Sequence, residues 1–351
     1  MNGQTIRTFL SANSANGFFS FFDEFLKGKH AFVIKGGPGT GKSSLMKKLA
    51  SAAVAKGNFT EYVYCSSDPD SLDGVYIYET ETVFTDGTPP HVMEPKYPGV
   101  MGGIIDVGQF LSKKALDPAK EDILWLSGKI QVCYARAYRY LKAASCASSE
   151  LRATAQRYLD SDAMLKYFQN LLPKIFREKK GDGGKTYVRF LSGITPKGFV
   201  TFKDTIYTLC ADVFVVKDKY GIGAPVFEYV KKEAIDRGFD VYEFHAPLEP
   251  ERITHVAIPQ LDVAFVTSDK LTCFEARNAR TVNLSRFIAE TIDPEAKHAV
   301  AAAKLLKICL EEAVDSISTA KSYHDDLEEI YISAMDFAAL DKFAEKWKKI
   351  I

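Results

Sequence analysis

The chain carries two related copies of one segment, and this restricts its fold more than any other feature. Residue 9 laid on residue 190 aligns Phe9-Leu10-Ser11 with Phe190-Leu191-Ser192, Gly17-Phe18 with Gly198-Phe199, Phe21 with Phe202 and Asp23 with Asp204. These are seven identities in fifteen positions at a constant offset of 181. One residue of slippage later, Phe32-Val33-Ile34-Lys35 falls on Phe214-Val215-Val216-Lys217, and Gly39 and Gly41 fall on Gly221 and Gly223. Gly57 then pairs with Gly238, Pro69 with Pro250, Val75 with Val256, Ile77 with Ile258 and Phe84 with Phe265. So long a period belongs to duplicated domains, since solenoid units repeat every roughly 20–50 residues. A chain of 351 residues has room for two. The segment Arg177-Glu178-Lys179-Lys180-Gly181-Asp182-Gly183-Gly184-Lys185 is charged and glycine-rich, which places the junction there. The expected domains are therefore 1–183 and 184–351. Mixed charge without interleaved aromatic residues marks that segment as a solvated linker rather than a nucleic-acid contact.

The copies differ where their chemistry would lie. In the first, the apolar strand Ala31-Phe32-Val33-Ile34-Lys35 runs into Gly36-Gly37-Pro38-Gly39-Thr40-Gly41-Lys42-Ser43-Ser44. This is the spacing of a phosphate-binding loop. Glycines let the backbone curl so that its N–H groups point at phosphate oxygens, and a following helix adds its positive N-terminus. Lys42 then supplies a charge for the β- and γ-phosphates and Ser43 a hydroxyl for Mg²⁺. The second copy reads Asp218-Lys219-Tyr220-Gly221-Ile222-Gly223-Ala224-Pro225. Ala224 and Pro225 replace the lysine and serine, and Asp218 puts negative charge where phosphate would sit. Pro225 still suits a first helical turn, so the expectation is a preserved fold with a dead loop.

Alternation of strand and helix around this loop predicts an α/β fold in which each copy is a mostly parallel sheet flanked by helices. Strands are expected at 31–35, Glu61–Cys65 and Thr82–Asp86, with a helix from Lys42 to Lys56 capped by Gly57. Asp70-Ser71-Leu72-Asp73 reads as a further helix start. Residues 120–178 and the tail from Glu295 to Ile351 are helical by periodicity, and we expect them to be matching helical extensions that cover the two units.

Ligands of such sheets bind at the carboxyl ends of the strands, and that edge carries the candidate acids. Asp86, ending a strand and followed by Gly87, is the candidate Mg²⁺-associated and catalytic carboxylate; Thr267-Ser268 stands there in the second copy. Asp68, Asp70 and Asp73 form a second acidic group, in which Asp70 is either a catalytic residue orienting water or a helix cap. Glu79 and Glu81 are further general-base candidates, and His91 a candidate sensor of the γ-phosphate. Arg189, Arg252, Arg277 and Arg280 are available as an arginine finger.

Composition narrows the setting. The chain is 46% hydrophobic and 26% charged with zero formal net charge, so no bulk charge draws it to nucleic acid or an anionic membrane. It has no 18-residue apolar run, and its start reads as no signal peptide. Six scattered cysteines lack any Cys-x-x-Cys pair, which argues against zinc and disulfides. The expected compartment is the cytoplasm.

With the loop 36–44, the stretch Cys65-Ser66-Ser67-Asp68-Pro69-Asp70-Ser71-Leu72-Asp73-Gly74 and Asp86-Gly87-Thr88-Pro89-Pro90-His91, the chain resembles a bacterial family of tandem P-loop ATPase-like proteins. The resemblance covers nearly the full length. It implies ATP and Mg²⁺ as ligands and hydrolysis in the first domain, with residues 36–43 as phosphate loop and Asp86 as acid; it supplies no physiological substrate. Its degenerate second loop sets this chain apart from two cooperating ATP sites. Three functions fit the residues: an ATPase, a small-molecule kinase, and a non-hydrolysing nucleotide-dependent scaffold. No Asn-Lys-x-Asp element argues for guanine.

Overall fold

The computed structural model describes residues 3–89, 92–176, 181, 183–274, 280–289 and 293–348. The first half runs β1 (Thr5–Phe9), β2 (Ser11–Ser14), β3 (Gly17–Ser20), α1 (Phe22–Phe25), β4 (His30–Lys35), α2 (Lys42–Ala55), β5 (Thr60–Tyr64), β6 (Leu72–Ile77), β7 (Thr82–Asp86) and β8 (Gly102–Asp106). The helices α3 (Lys113–Leu116), α4 (Lys120–Gln156) and α5 (Ser161–Leu171) follow. The second half repeats this as β9 (Thr186–Arg189), β10 (Ser192–Thr195), β11 (Gly198–Thr201), α6 (Lys203–Leu209), β12 (Asp212–Lys217), α7 (Ala224–Asp236), β13 (Val241–His245), β14 (Ile253–Ile258), β15 (Val263–Ser268) and β16 (Arg280–Asn283). It ends in α8 (Asp293–Ser333) and α9 (Phe337–Trp347).

The two sheets have one topology. The first is ordered β1-β5-β6-β7-β4-β8, and the second, read from its other edge, β9-β13-β14-β15-β12-β16. Even an irregularity is copied: strand pairing shifts between Val63 and Tyr64 in one sheet and between Phe244 and His245 in the other. The seam lies at the copied phenylalanines, where Phe9 and Phe190 exchange backbone hydrogen bonds of 2.9 Å each way. Equivalent residues pairing with each other place a local two-fold axis between them. Phe9, Ala12, Phe190 and Phe202 bury their side chains around it.

Each sheet is mixed: five of its six strands point one way, as expected, and one runs against them. β6 runs antiparallel to both β5 and β7, and no helix separates these strands. The expected helix start at Asp70–Asp73 is instead a turn into β6. Asp68 accepts from Asp70 N at 3.2 Å and from Ser71 Oγ at 2.8 Å. Aspartate followed by serine stabilises such a turn by the same side-chain-to-backbone bonding that caps a helix. The strands bracketing the loop 36–44 are parallel as expected: β4 lies between β7 and β8, with Ile34 opposite Asp86 and Lys35 opposite Asp106.

The helical extensions are exchanged between the halves. α5, which follows the first sheet in sequence, buries Met164 and Phe168 in the core of the second, with Phe227, Phe239 and Phe265. α9, which follows the second sheet, buries Leu340 and Ala344 in the core of the first, with Leu45, Leu49 and Phe84. Both carry an aspartate N-cap, Asp160 accepting from Ala163 N and Asp336 from Ala339 N at 2.9 Å. The crossings are sealed by matched bonds, Asp160 N to Phe287 O at 2.8 Å and Asp336 N to Phe110 O at 3.0 Å. The long helices α4 and α8 lie against each other along small buried residues that include Ala137, Ala144 and Ala313. The junction residues 177–180 and 182 lie outside the described residues. Among the described residues no helix is long and apolar enough to cross a membrane.

Candidate functional site

β4 ends at Lys35, and the chain turns through Gly36–Gly41 into α2, whose first residue is Lys42. Gly39 and Gly41 hold φ of +66° and +83°, a region that side chains with a Cβ avoid. Thr40 Oγ1 donates to Gly37 O at 2.8 Å and fixes the curl. Lys42 is buried, and its ammonium donates to Gly36 O at 3.1 Å and Gly37 O at 2.7 Å. Its Nζ also lies 3.7 Å from Asp86 Oδ2. Ser43 Oγ accepts from Leu72 N at 2.9 Å. Pro38 lies within the curl, half-buried, and Ser44 is exposed on α2.

The structure therefore brings Lys42, Ser43 and Asp86 to one sheet edge. Burial pushes the Asp86 carboxyl above its ordinary range, against the Lys42 ammonium and the hydrogen bond from Thr88. Thr88 donates to Asp86 Oδ1 through its N at 2.9 Å and its hydroxyl at 2.6 Å. Asp73, on the neighbouring strand β6, is buried and adds to the upward push on Asp86. Lys35 ties the chain beyond Asp86 down, donating to Gly87 O, Met93 O and Glu94.

Other candidates lie elsewhere. Asp70 is exposed at the surface and bonds Lys197 of the second half at 2.5 Å, which holds its carboxyl below the ordinary range. Its backbone carbonyl takes Lys47 Nζ at 2.6 Å. Glu79 accepts from Phe59 N, and Glu81 sits in the turn between β6 and β7, at the opposite end of β7 from Asp86. Neither acid faces the loop as a general base. His91 and Arg277 lie outside the described residues. Arg189 is buried against Glu61, Arg252 bonds Glu249 and Gly221 O, and Arg280 stacks on Phe214. All three lie in the second half, away from the loop, so none is placed as an arginine finger.

What the sequence did not reveal is the cover over the loop. Glu328 Oε1 on α8 accepts from Gly39 N at 3.2 Å. A Cβ at Gly37 would meet the Tyr331 ring at 2.7 Å, one at Gly39 the Glu328 carbonyl at 2.8 Å, and one at Gly41 Leu340 Cδ2 at 2.8 Å. The glycines thus admit the close approach of the exchanged helices. Lys321, His324 and Asp325 share that stretch of α8; Lys321 Nζ lies 3.7 Å from Asp68. His324, Asp325 and Glu328 hold ligand-type atoms within 4.8 Å of one another. No local signal links residues nearly 300 positions apart.

The equivalent loop of the second half is filled from within. Asp218 is buried and its two carboxylate oxygens accept from Ile222 N at 2.8 Å and Gly223 N at 2.7 Å. The carboxylate occupies the N–H groups that a phosphate would need.

Comparison with known proteins finds no matching family model, no matching curated protein and no matching solved structure.

Proposed function

We propose that the first half is a P-loop nucleotide-binding domain that takes Mg²⁺-ATP on Gly36–Ser44 and hydrolyses it, with the second half structural or regulatory. The observation that carries this reading is the buried Lys42 ammonium, folded onto its own loop carbonyls and 3.7 Å from Asp86 at the end of the adjacent strand. A buried ammonium resting on weak carbonyl partners gains from meeting a phosphate oxygen. Lys42 moves from those carbonyls to the terminal phosphates, and the loop N–H groups hold the bridging oxygens.

The donor set suits a hard cation. Ser43 offers a hydroxyl and Asp86 a carboxylate, both oxygen ligands of the kind Mg²⁺ takes. Burial pushes the Asp86 carboxyl up despite the Lys42 ammonium 3.7 Å away, and a divalent cation would add the further positive charge that favours its ionised form. Bound there, Mg²⁺ would neutralise charge building on the phosphates. Base identity and the choice of ATP rest on the sequence resemblance and the missing guanine element.

Nucleotide titration and phosphate release, with and without a metabolite library, test this. Lys42→Ala should weaken ATP binding at least about tenfold, roughly 1.4 kcal/mol. Asp86→Asn should keep nucleotide binding without Mg²⁺ but lose most turnover. ATP consumption that begins only when an acceptor is added would instead identify a kinase. Wild-type affinity in Lys42→Ala would remove the site.

A further inference from the structure

We propose that the second half binds an amphipathic monocarboxylate, an apolar chain with one anionic end, in the cavity beneath the amino-terminal part of α8. This cavity has a volume of about 1210 Å³ and lies at the carboxyl edge of the second sheet, where the first sheet carries its glycine loop. That is ample for a ligand of this class, since small-molecule sites run to roughly 300–1,000 Å³.

Polyphosphate does not fit the wall. Asp218 holds the N–H groups of Ile222 and Gly223, and Ala224 stands where the first half has Lys42. Apolar side chains dominate instead: Leu306, Leu310 and Val314 of α8 face Phe227, Leu248 and Phe199. They come from α8, α7, the loop after β13 and the β10–β11 hairpin, so the cavity is walled by four separate parts of the fold.

Charge selects the anion. Of the wall carboxylates, Asp218 holds its own loop N–H groups, Glu311 lies 3.6 Å from Lys307 Nζ, and Asp315 is exposed on α8. Glu249 takes both Arg152 and Arg252, and Asp269 takes the N–H groups of Leu271 and Thr272 with the Thr272 hydroxyl. By contrast, Lys270 and Lys304 line the cavity with no carboxylate partner among the described residues. His255 adds a buried donor. It is 2% exposed and lines the cavity; its Nδ1 accepts from Thr267 N at 3.0 Å, so its proton sits on Nε2. That Nε2 has no acceptor among the described residues. Burial pushes the ring down to about 3, so it remains a neutral donor near pH 7. A carboxylate supplies an acceptor for His255 and a counter-charge for the lysines.

The test is a displacement titration of the full chain with dodecanoate against a fluorescent fatty acid, alongside dodecanol, while circular dichroism and melting temperature report folding. The wild type should bind one dodecanoate per chain, at least about tenfold tighter than dodecanol. Lys270→Ser with Lys304→Ser, both exposed, should erase that preference while melting like the wild type. Ala303→Trp should abolish binding by filling the cavity; Ala224→Trp replaces it if that chain fails to fold. No saturable binding by the wild type, equal binding of dodecanol, an unmoved preference in the lysine variant, or wild-type affinity in a folded tryptophan variant would overturn the proposal.

Discussion

Asp218 and Glu328 place carboxylates on the two equivalent loops, with opposite consequences. Asp218 belongs to its own loop, is nearly inaccessible and takes two N–H groups, so its removal would orphan buried donors. Glu328 reaches the first loop from the far half, takes one N–H at 3.2 Å and is half-buried, so a ligand can displace it. Glu328→Ala should therefore tighten ATP binding about fivefold, the equivalent of about 1 kcal/mol, in isothermal titration. Unchanged affinity would show that the contact does not compete. Glu61 makes a different kind of prediction. Burial alone would raise its carboxyl, yet Arg189, Thr8 and Tyr78 hold it below the ordinary range. Arg189 grips both its oxygens, from Nε at 2.5 Å and Nη2 at 2.9 Å, joining the first sheet to the second. A carboxyl held low stabilises the fold fully above the ordinary glutamate value near about 4.3 and loses that contribution as pH falls through and below it. Glu61→Gln should cost about 3–5 kcal/mol in urea unfolding at neutral pH by leaving a buried guanidinium unmatched. The gap from wild type should narrow in acid.

Among the elements, legibility followed how local the determining contacts are. Strand β4, helix α2 and strand β7 were readable because hydrophobic runs, glycines and the Lys42-Ser43 pair act within a few residues. The offset of 181 foretold two alike sheets for the same reason: it compares the chain with itself. Strand β6 was not legible, since Asp68-Pro69-Asp70-Ser71 satisfies a turn and a helix cap equally well. Nor could periodicity say which half a helix covers. The apolar faces of α5 and α9 fit either core, and only tertiary packing settles that α9 backs α2. Leu340 makes the exchange testable. It is buried in the first core and touches the space beside Gly41, so Leu340→Ala should cost about 2–5 kcal/mol and weaken ATP binding. Phe168→Ala, its counterpart in α5 within the second core, should cost about 3–5 kcal/mol with ATP affinity retained. Equal loss of ATP binding in both variants would contradict the reading that α9 serves the proposed nucleotide site of the first half.

For the whole molecule, exchanged extensions mean that neither half completes its own core. Residues 3–176 lack α9, leaving Leu45, Leu49 and Phe84 partly uncovered, while residues 183–348 lack α5 over Phe227 and Phe265. Each fragment would also expose one face of the α4–α8 pair and its side of the Phe9–Phe190 seam. Apolar surface on that scale drives association. The complementary faces are those of the other fragment, matched by Asp160 with Phe287 and Asp336 with Phe110. Produced separately, chains 1–182 and 183–351 should bind a dye specific for exposed apolar surface and unfold without a sharp transition. Mixed, they should form a one-to-one complex by size exclusion with light scattering, recover a cooperative melt and, if the nucleotide reading holds, restore ATP binding. Two fragments that each stay monomeric and melt cooperatively would mean that the halves are independent domains, and that the crossing helices only decorate them.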